Sequence, residues 1–198
     1  MAETRERFIE AATKTFAERG FYGTSIAAIA ESLPFTKQAL LHHFGSKEKL
    51  YAEVLKRISD RLMIELEAIS DRYSDPRAKL EETFLGFYRW SLDNPDETQL
   101  LMRELLDNQR RAETARSWYL KPFLETLASR VTEDPDNVIS RPLAALAVVY
   151  QLLGAITYFA VSQPTLTQMF GAKDFAKLRD GYDSELRVLI NARLEQAG

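Results

Sequence analysis

Thr36, Lys37, Gln38 and His42 crowd into one short stretch of the segment FYGTSIAAIAESLPFTKQALLHHFGSKEKL, residues 21–50. A hydroxyl, an ammonium, an amide and an imidazole so placed make a set of hydrogen-bond donors and acceptors. Such a set can hold phosphate oxygens and read the edges of bases in a groove. Other chemistry is harder to build here. The chain has no cysteine, which excludes a disulfide framework, a Cys-ligated zinc or iron–sulfur site and a thiol nucleophile. Its two histidines, His42 and His43, are adjacent. Neighbours on a helix project about 100° apart and do not readily chelate one ion, so no metal is expected. A di-iron carboxylate site needs Glu three residues before His, and those positions are Ala39 and Leu40. Neither an enzyme nor a cofactor is expected.

The elements that must present these side chains read as helices throughout. A first helix spans about Thr4 to Arg19, with Phe8, Ile9, Ala12 and Phe16 on one stripe and Gly20 as a left-handed stop. A second opens near Thr24 or Ser25, buries Ile26, Ile29 and Ala30, and is ended by Pro34. Thr36 caps a third that runs to about His43, and Ser46 caps a long fourth over about 47–72. Five more are expected, at about 76–93, 97–110, 113–132, 142–162 and 173–195, with Pro164 closing the eighth. The expected fold is all-α, about nine helices: an N-terminal three-helix domain over 1–45, then a helical bundle over 46–198, joined by the fourth helix.

Two short helices with a tight turn between them, the second polar at its start, make a helix-turn-helix. Its physical demands are met together. Ala30 is small enough for the helix crossing, and Ile29, Leu33, Phe35, Leu40 and Phe44 are spaced to hold the second helix onto its neighbours. The remaining face, with Thr36, Lys37, Gln38 and His42, is polar enough to enter a major groove. Net charge does not argue against this. The total is −3, but residues 1–50 carry seven Lys/Arg against six Asp/Glu, and the potential over one face is what a polyanion meets.

This stretch resembles the tetracycline-repressor (TetR) family of bacterial transcriptional regulators. The resemblance runs from Ala12 to Leu50, through Ala12, Phe16, Gly20 and Phe21, then Thr24-Ser25-Ile26, Ile29-Ala30, Thr36, Leu40, His43-Phe44 and Ser46-Lys47-Glu48-x-Leu50. It implies that Thr24 and Ser25 offer hydroxyls to a phosphate, that Thr36 and Lys37 contact phosphate or bases, and that His43 contacts a phosphate. Lys47 adds charge at a helix N-terminus, where free N–H groups already favour an anion. Three positions depart from the family pattern. Pro34 stands where Gly is usual and cannot take positive φ, so the turn must have another shape. Gln38 replaces a frequent Gly and can pair with adenine, and Leu41 replaces a frequent phosphate-binding Tyr.

The whole chain is 45% apolar and matches a soluble globular composition. The run PLAALAVVYQLLGAITYFAV, residues 142–161, is long enough to span a membrane, but Gln151 and Thr157 interrupt it and basic flanks are sparse. A helix apolar all round is otherwise covered on every side. Small residues Ala144, Ala147, Gly154 and Ala155 allow another helix close. We therefore expect a homodimer through the last two helices, about 142–162 and 173–195, which also doubles the DNA site to a palindromic operator. Phe84, Tyr88, Trp118, Phe123, Tyr150 and Tyr158 are the candidates to line a cavity for a small-molecule effector, largely apolar or aromatic. The N-terminus MAETRERF is charged where a secretory signal is apolar, and a cytoplasmic location follows as the expectation. Two other readings stay open: a regulator without a small-molecule effector, controlled by a protein or acting as an activator, and a helical adaptor for protein contacts.

Overall fold

The computed structural model describes residues 2–106, 119–133, 139 and 141–195. Among them are nine helices and no strand: α1 (Ala2–Gly23), α2 (Ile26–Glu31), α3 (Lys37–Phe44), α4 (Lys47–Arg72), α5 (Pro76–Asp93), α6 (Pro95–Leu106), α7 (Lys121–Glu133), α8 (Pro142–Phe170) and α9 (Ala172–Glu195). The chain groups into two compact units. One comprises residues 1–61 with 96–120, the other residues 62–95 with 121–198. The division falls inside α4, and α6 groups with α1–α3.

In the first unit, Phe8, Ile9, Ala12 and Phe16 are buried along α1, facing Ile29 of α2, Leu40 and Phe44 of α3, and Leu50, Val54 and Ile58 of α4. Gly20 breaks α1 with φ 69° and ψ 173°, a region open essentially to glycine alone. The chain does not stop there, as the sequence suggested, but turns and resumes helix through Gly23. The aromatic pair Phe16–Phe21, stacked at 6.1 Å, spans the break, and Tyr51 packs edge-on against both rings. From α6, the Arg103 guanidinium donates to the Ala17 carbonyl at 2.6 Å and the Glu18 carbonyl at 3.0 Å, just before the break. Tyr51 of α4 donates to the buried Glu104 of α6.

In the second unit, Leu62 and Leu66 of α4, Leu80, Phe84 and Leu85 of α5, Leu127 of α7, Val149, Leu152 and Ile156 of α8 and Ile190 of α9 form the core. The Asp75 carboxylate caps α5 by accepting from Ala78 N at 2.7 Å, with Pro76 in the first turn. α8 departs from the sequence expectation. Pro164 does not close it; the helix passes through and ends at Gly171, φ 81°. A proline has no N–H for the carbonyl four residues before it. That carbonyl, Ala160 O, instead accepts from the Gln163 side-chain amide at 3.3 Å.

Candidate nucleic-acid interface

α2 and α3 are short, and caps set both their starts. Ser25 Oγ accepts from Ala28 N at 3.1 Å, and Thr36 Oγ1 accepts from Ala39 N at 3.1 Å. Each hydroxyl proton remains for an outside acceptor. α2 ends at Glu31, two residues short of where Pro34 alone would stop it, with Ser32 as its cap and Leu33 N bonded to Ala30 O at 3.1 Å. No residue of the connecting turn has positive φ, so Pro34 fits without strain and the turn differs from one built on glycine. Phe35 packs on Phe8 at 5.2 Å under the Arg7 guanidinium, and this fixes the start of α3 against α1.

Ser25, Thr36, Lys37, Gln38 and His42 are exposed, while Leu40 and Phe44 on the opposite side of α3 are buried. Leu41 and His43 are half-buried, and the His43 ring lies 5.8 Å from Phe8. The structure separates two residues from this simple picture. Thr24 is only 3% exposed, and its hydroxyl donates to Gly20 O at 2.8 Å and Thr15 O at 3.2 Å. Its proton is committed inside the protein, so Thr24 is removed from the phosphate donors and stitches the Gly20 break instead. Lys47 is half-buried; its ammonium donates to Phe21 O at 2.9 Å and Thr24 O at 3.0 Å and sits 4.2 Å above the Phe21 ring. It joins the start of α4 to the end of α1, with one N–H left to offer.

Two exposed residues at this end of the unit escaped the sequence reading. Tyr22 is 59% exposed just before the α2 cap, and Lys49, exposed at the start of α4, lays its chain over Gly45. Lys49 was legible, as a second cation after Ser46. Tyr22 was not, because nothing in the pattern separates it from its half-buried neighbour Phe21.

This geometry is that of a helix-turn-helix, and residues 8–54 match the profile of bacterial regulatory proteins, tetR family. Those residues therefore form a DNA-binding domain of the tetR type. The chain is similar to the HTH-type transcriptional regulator RutR of Escherichia coli K12, 25% identical over 188 residues, 94% of this chain and 88% of that protein. The HTH-type transcriptional repressor KstR2 of Mycolicibacterium smegmatis is 33% identical over 87 residues, 44% of this chain and 42% of that one. The fold is that of solved structures including the fatty acid degradation regulator FadR from Bacillus halodurans, with a TM-score of 0.75 at 14% identity over 97% of this chain and 95% of that one. The chain is a DNA-binding transcriptional regulator, and the relatives it matches are transcriptional regulators.

The aromatic residues expected to line one effector cavity are not brought together. Phe84, Tyr88 and Phe123 are buried in the second unit, Tyr88 beside Tyr182 at 5.3 Å and Phe123 beside Phe87 at 5.6 Å. Tyr158 is 72% exposed on the outer face of α8, and Tyr150 is half-exposed there, lining a groove of about 460 Å³ with Leu124, Ala128 and Leu143. Both leave the buried set because α8, apolar all round, turns them to the side its own unit does not cover. Trp118 lies outside the described residues.

Proposed function

We propose that this regulator is a cytoplasmic homodimeric repressor, released from a palindromic operator when a small molecule binds its second unit. The functional boundary falls where the helix-turn-helix of 1–45 meets the remainder, with α4 carrying the signal. One observation carries the dimer. The outer face of α8 presents Leu143, Ala144, Ala147, Tyr150, Gly154 and Tyr158, an apolar stripe of period near seven with exposed Gln151 beside it. On α9, Leu178, Gly181, Val188 and Leu189 are likewise exposed, and a Cβ at Gly154 or Gly181 would meet nothing within 4 Å. An uncovered stripe of this extent, with small residues that admit another backbone, is the pattern of a self-complementary interface.

In this account two α3 helices lie about 34–36 Å apart, in successive major grooves. The effector favours a different spacing. The shift reaches the DNA-reading helices along α4, and α6 steadies the receiving end, because Arg103 holds the Ala17 and Glu18 carbonyls of α1. Reciprocity then requires DNA to weaken effector binding by the factor by which effector weakens DNA binding, commonly about 1–3 kcal/mol. Light scattering of the protein on a short operator duplex tests the assembly. Two chains per duplex are expected; one chain per duplex with full affinity contradicts the reading.

A further inference from the structure

Inside the second unit, Arg130 of α7 is only 6% exposed, yet among the described residues its hydrogen-bond partners are all neutral. Its guanidinium donates to the Thr83 hydroxyl of α5, to Leu66 O of α4 at 2.5 Å and to the Ser70 hydroxyl of α4 at 2.6 Å. Both hydroxyls already give their own protons to carbonyls one turn back, Thr83 to Lys79 at 2.7 Å and Ser70 to Leu66 at 3.1 Å. Among the described residues no carboxylate pairs with Arg130. Burial pushes its guanidinium below the ordinary value, and Glu133 only partly offsets this. A cation taken out of water without a counter-ion is costly, and an anion arriving beside it relieves that cost.

A second, independent feature lies on the same face of α5. Thr83, Phe87 and Trp90 follow at i, i+4 and i+7, so Trp90 stands about 10 Å along the helix from Thr83. Trp90 is 8% exposed, and its indole Nε1 is buried with no acceptor. Between these ends, Phe87 stacks on Trp90 at 5.7 Å and 14° and meets Phe123 of α7 at 5.6 Å. The α5–α7 seam therefore has a cation at one end, aromatic faces along its length and an unpaired N–H donor at the other.

We propose that this seam takes the effector, and that the effector is a flat, apolar organic carboxylate: its carboxylate on Arg130, its body along Phe87 and Phe123, and an acceptor at Trp90. The inference rests on the ligand-released reading above and specifies its chemistry. A bidentate guanidinium–carboxylate contact is stronger than any the neutral partners provide.

Calorimetry on the full-length protein, without DNA, tests it with three probes: 2-naphthoate, 6-hydroxy-2-naphthoate and the neutral 2-naphthamide. The naphthoate is expected to bind at least about tenfold more tightly than the amide. Arg130→Met is expected to bring that ratio to about one. Trp90→Phe is expected to abolish any advantage of the 6-hydroxy compound while keeping the preference for acid over amide. An amide that binds as well as the acid, an Arg130→Met protein that keeps the preference, or no binding by any probe at millimolar concentration overturns the proposal. Should Arg130→Met fail to fold, the acid-to-amide ratio of the wild type and the Trp90→Phe comparison decide alone. Operator release is measured separately. Release by neutral compounds only would leave the ligand-released reading standing and remove this one.

Discussion

Lys37 and Lys47 carry the same charge on successive helices, but the fold uses them differently. Lys37 is exposed at the start of α3, with no internal bond among the described residues. Lys37→Ala is expected to weaken DNA binding and reduce the salt slope by about one unit, with the melting temperature unchanged. Lys47 bonds two carbonyls and covers the Phe21 ring. Lys47→Ala is expected to weaken DNA binding and also to destabilise the fold by about 1–2 kcal/mol, read from denaturant unfolding. The motif marked both lysines alike, because spacing records where a cation stands and not which carbonyls it meets. Thr24 teaches the same lesson: its hydroxyl is a surface donor only if Gly20 O is elsewhere, and that depended on the chain resuming helix after the glycine. A buried phenol gives a pH test at this scale. Burial, with Tyr182 and Asp183, pushes Tyr88 up from 10.0 to about 12. A group that ionises later when folded stabilises the fold fully below its unfolded value and loses that contribution as pH rises through the folded one. Denaturation midpoints should therefore fall between pH 10 and about 12, and Tyr88→Phe should flatten the fall. An identical alkaline fall in both proteins would contradict this origin.

At the scale of elements, hydrophobic spacing and caps made most helices legible. Thr36 and Ser46 cap where expected, Ser25 and not Thr24 starts α2, and Asp75 starts α5, each accepting from a backbone N–H three residues on. What sequence could not show was how breaks are repaired. Pro164 should end a helix by its local chemistry, but Gln163 supplies the donor that the proline lacks, and the surrounding apolar residues keep the helix going. Pro164→Ala restores the backbone bond and is expected to stabilise the protein by about 1–3 kcal/mol, seen as a higher unfolding midpoint. An unchanged or lower midpoint would mean that α8 requires the bend. The described aromatics among those expected around one cavity do not come together, for a related reason. Periodicity places residues on a face of α8, but both faces of that helix are apolar, so it cannot say which one its own unit covers.

At the scale of the whole molecule, the proposed dimer through the uncovered α8 and α9 stripes is the link between fold and function. Tyr158→Glu places a charge in the middle of the α8 stripe, where burial against a partner is strongly unfavourable. Sedimentation is expected to show a folded monomer with much weaker operator binding than the wild type. A Tyr158→Glu protein that stays dimeric at micromolar concentration would move the interface elsewhere. The most direct test of the central claim is selection of random duplex DNA by the purified protein at low and near-physiological salt, with the enriched pool sequenced. A homodimer that reads bases through α3 is expected to enrich a palindrome whose half-sites lie about one helical turn apart, retained at the higher salt. Binding that fades with salt and enriches no sequence would leave only attraction to phosphate and would contradict it.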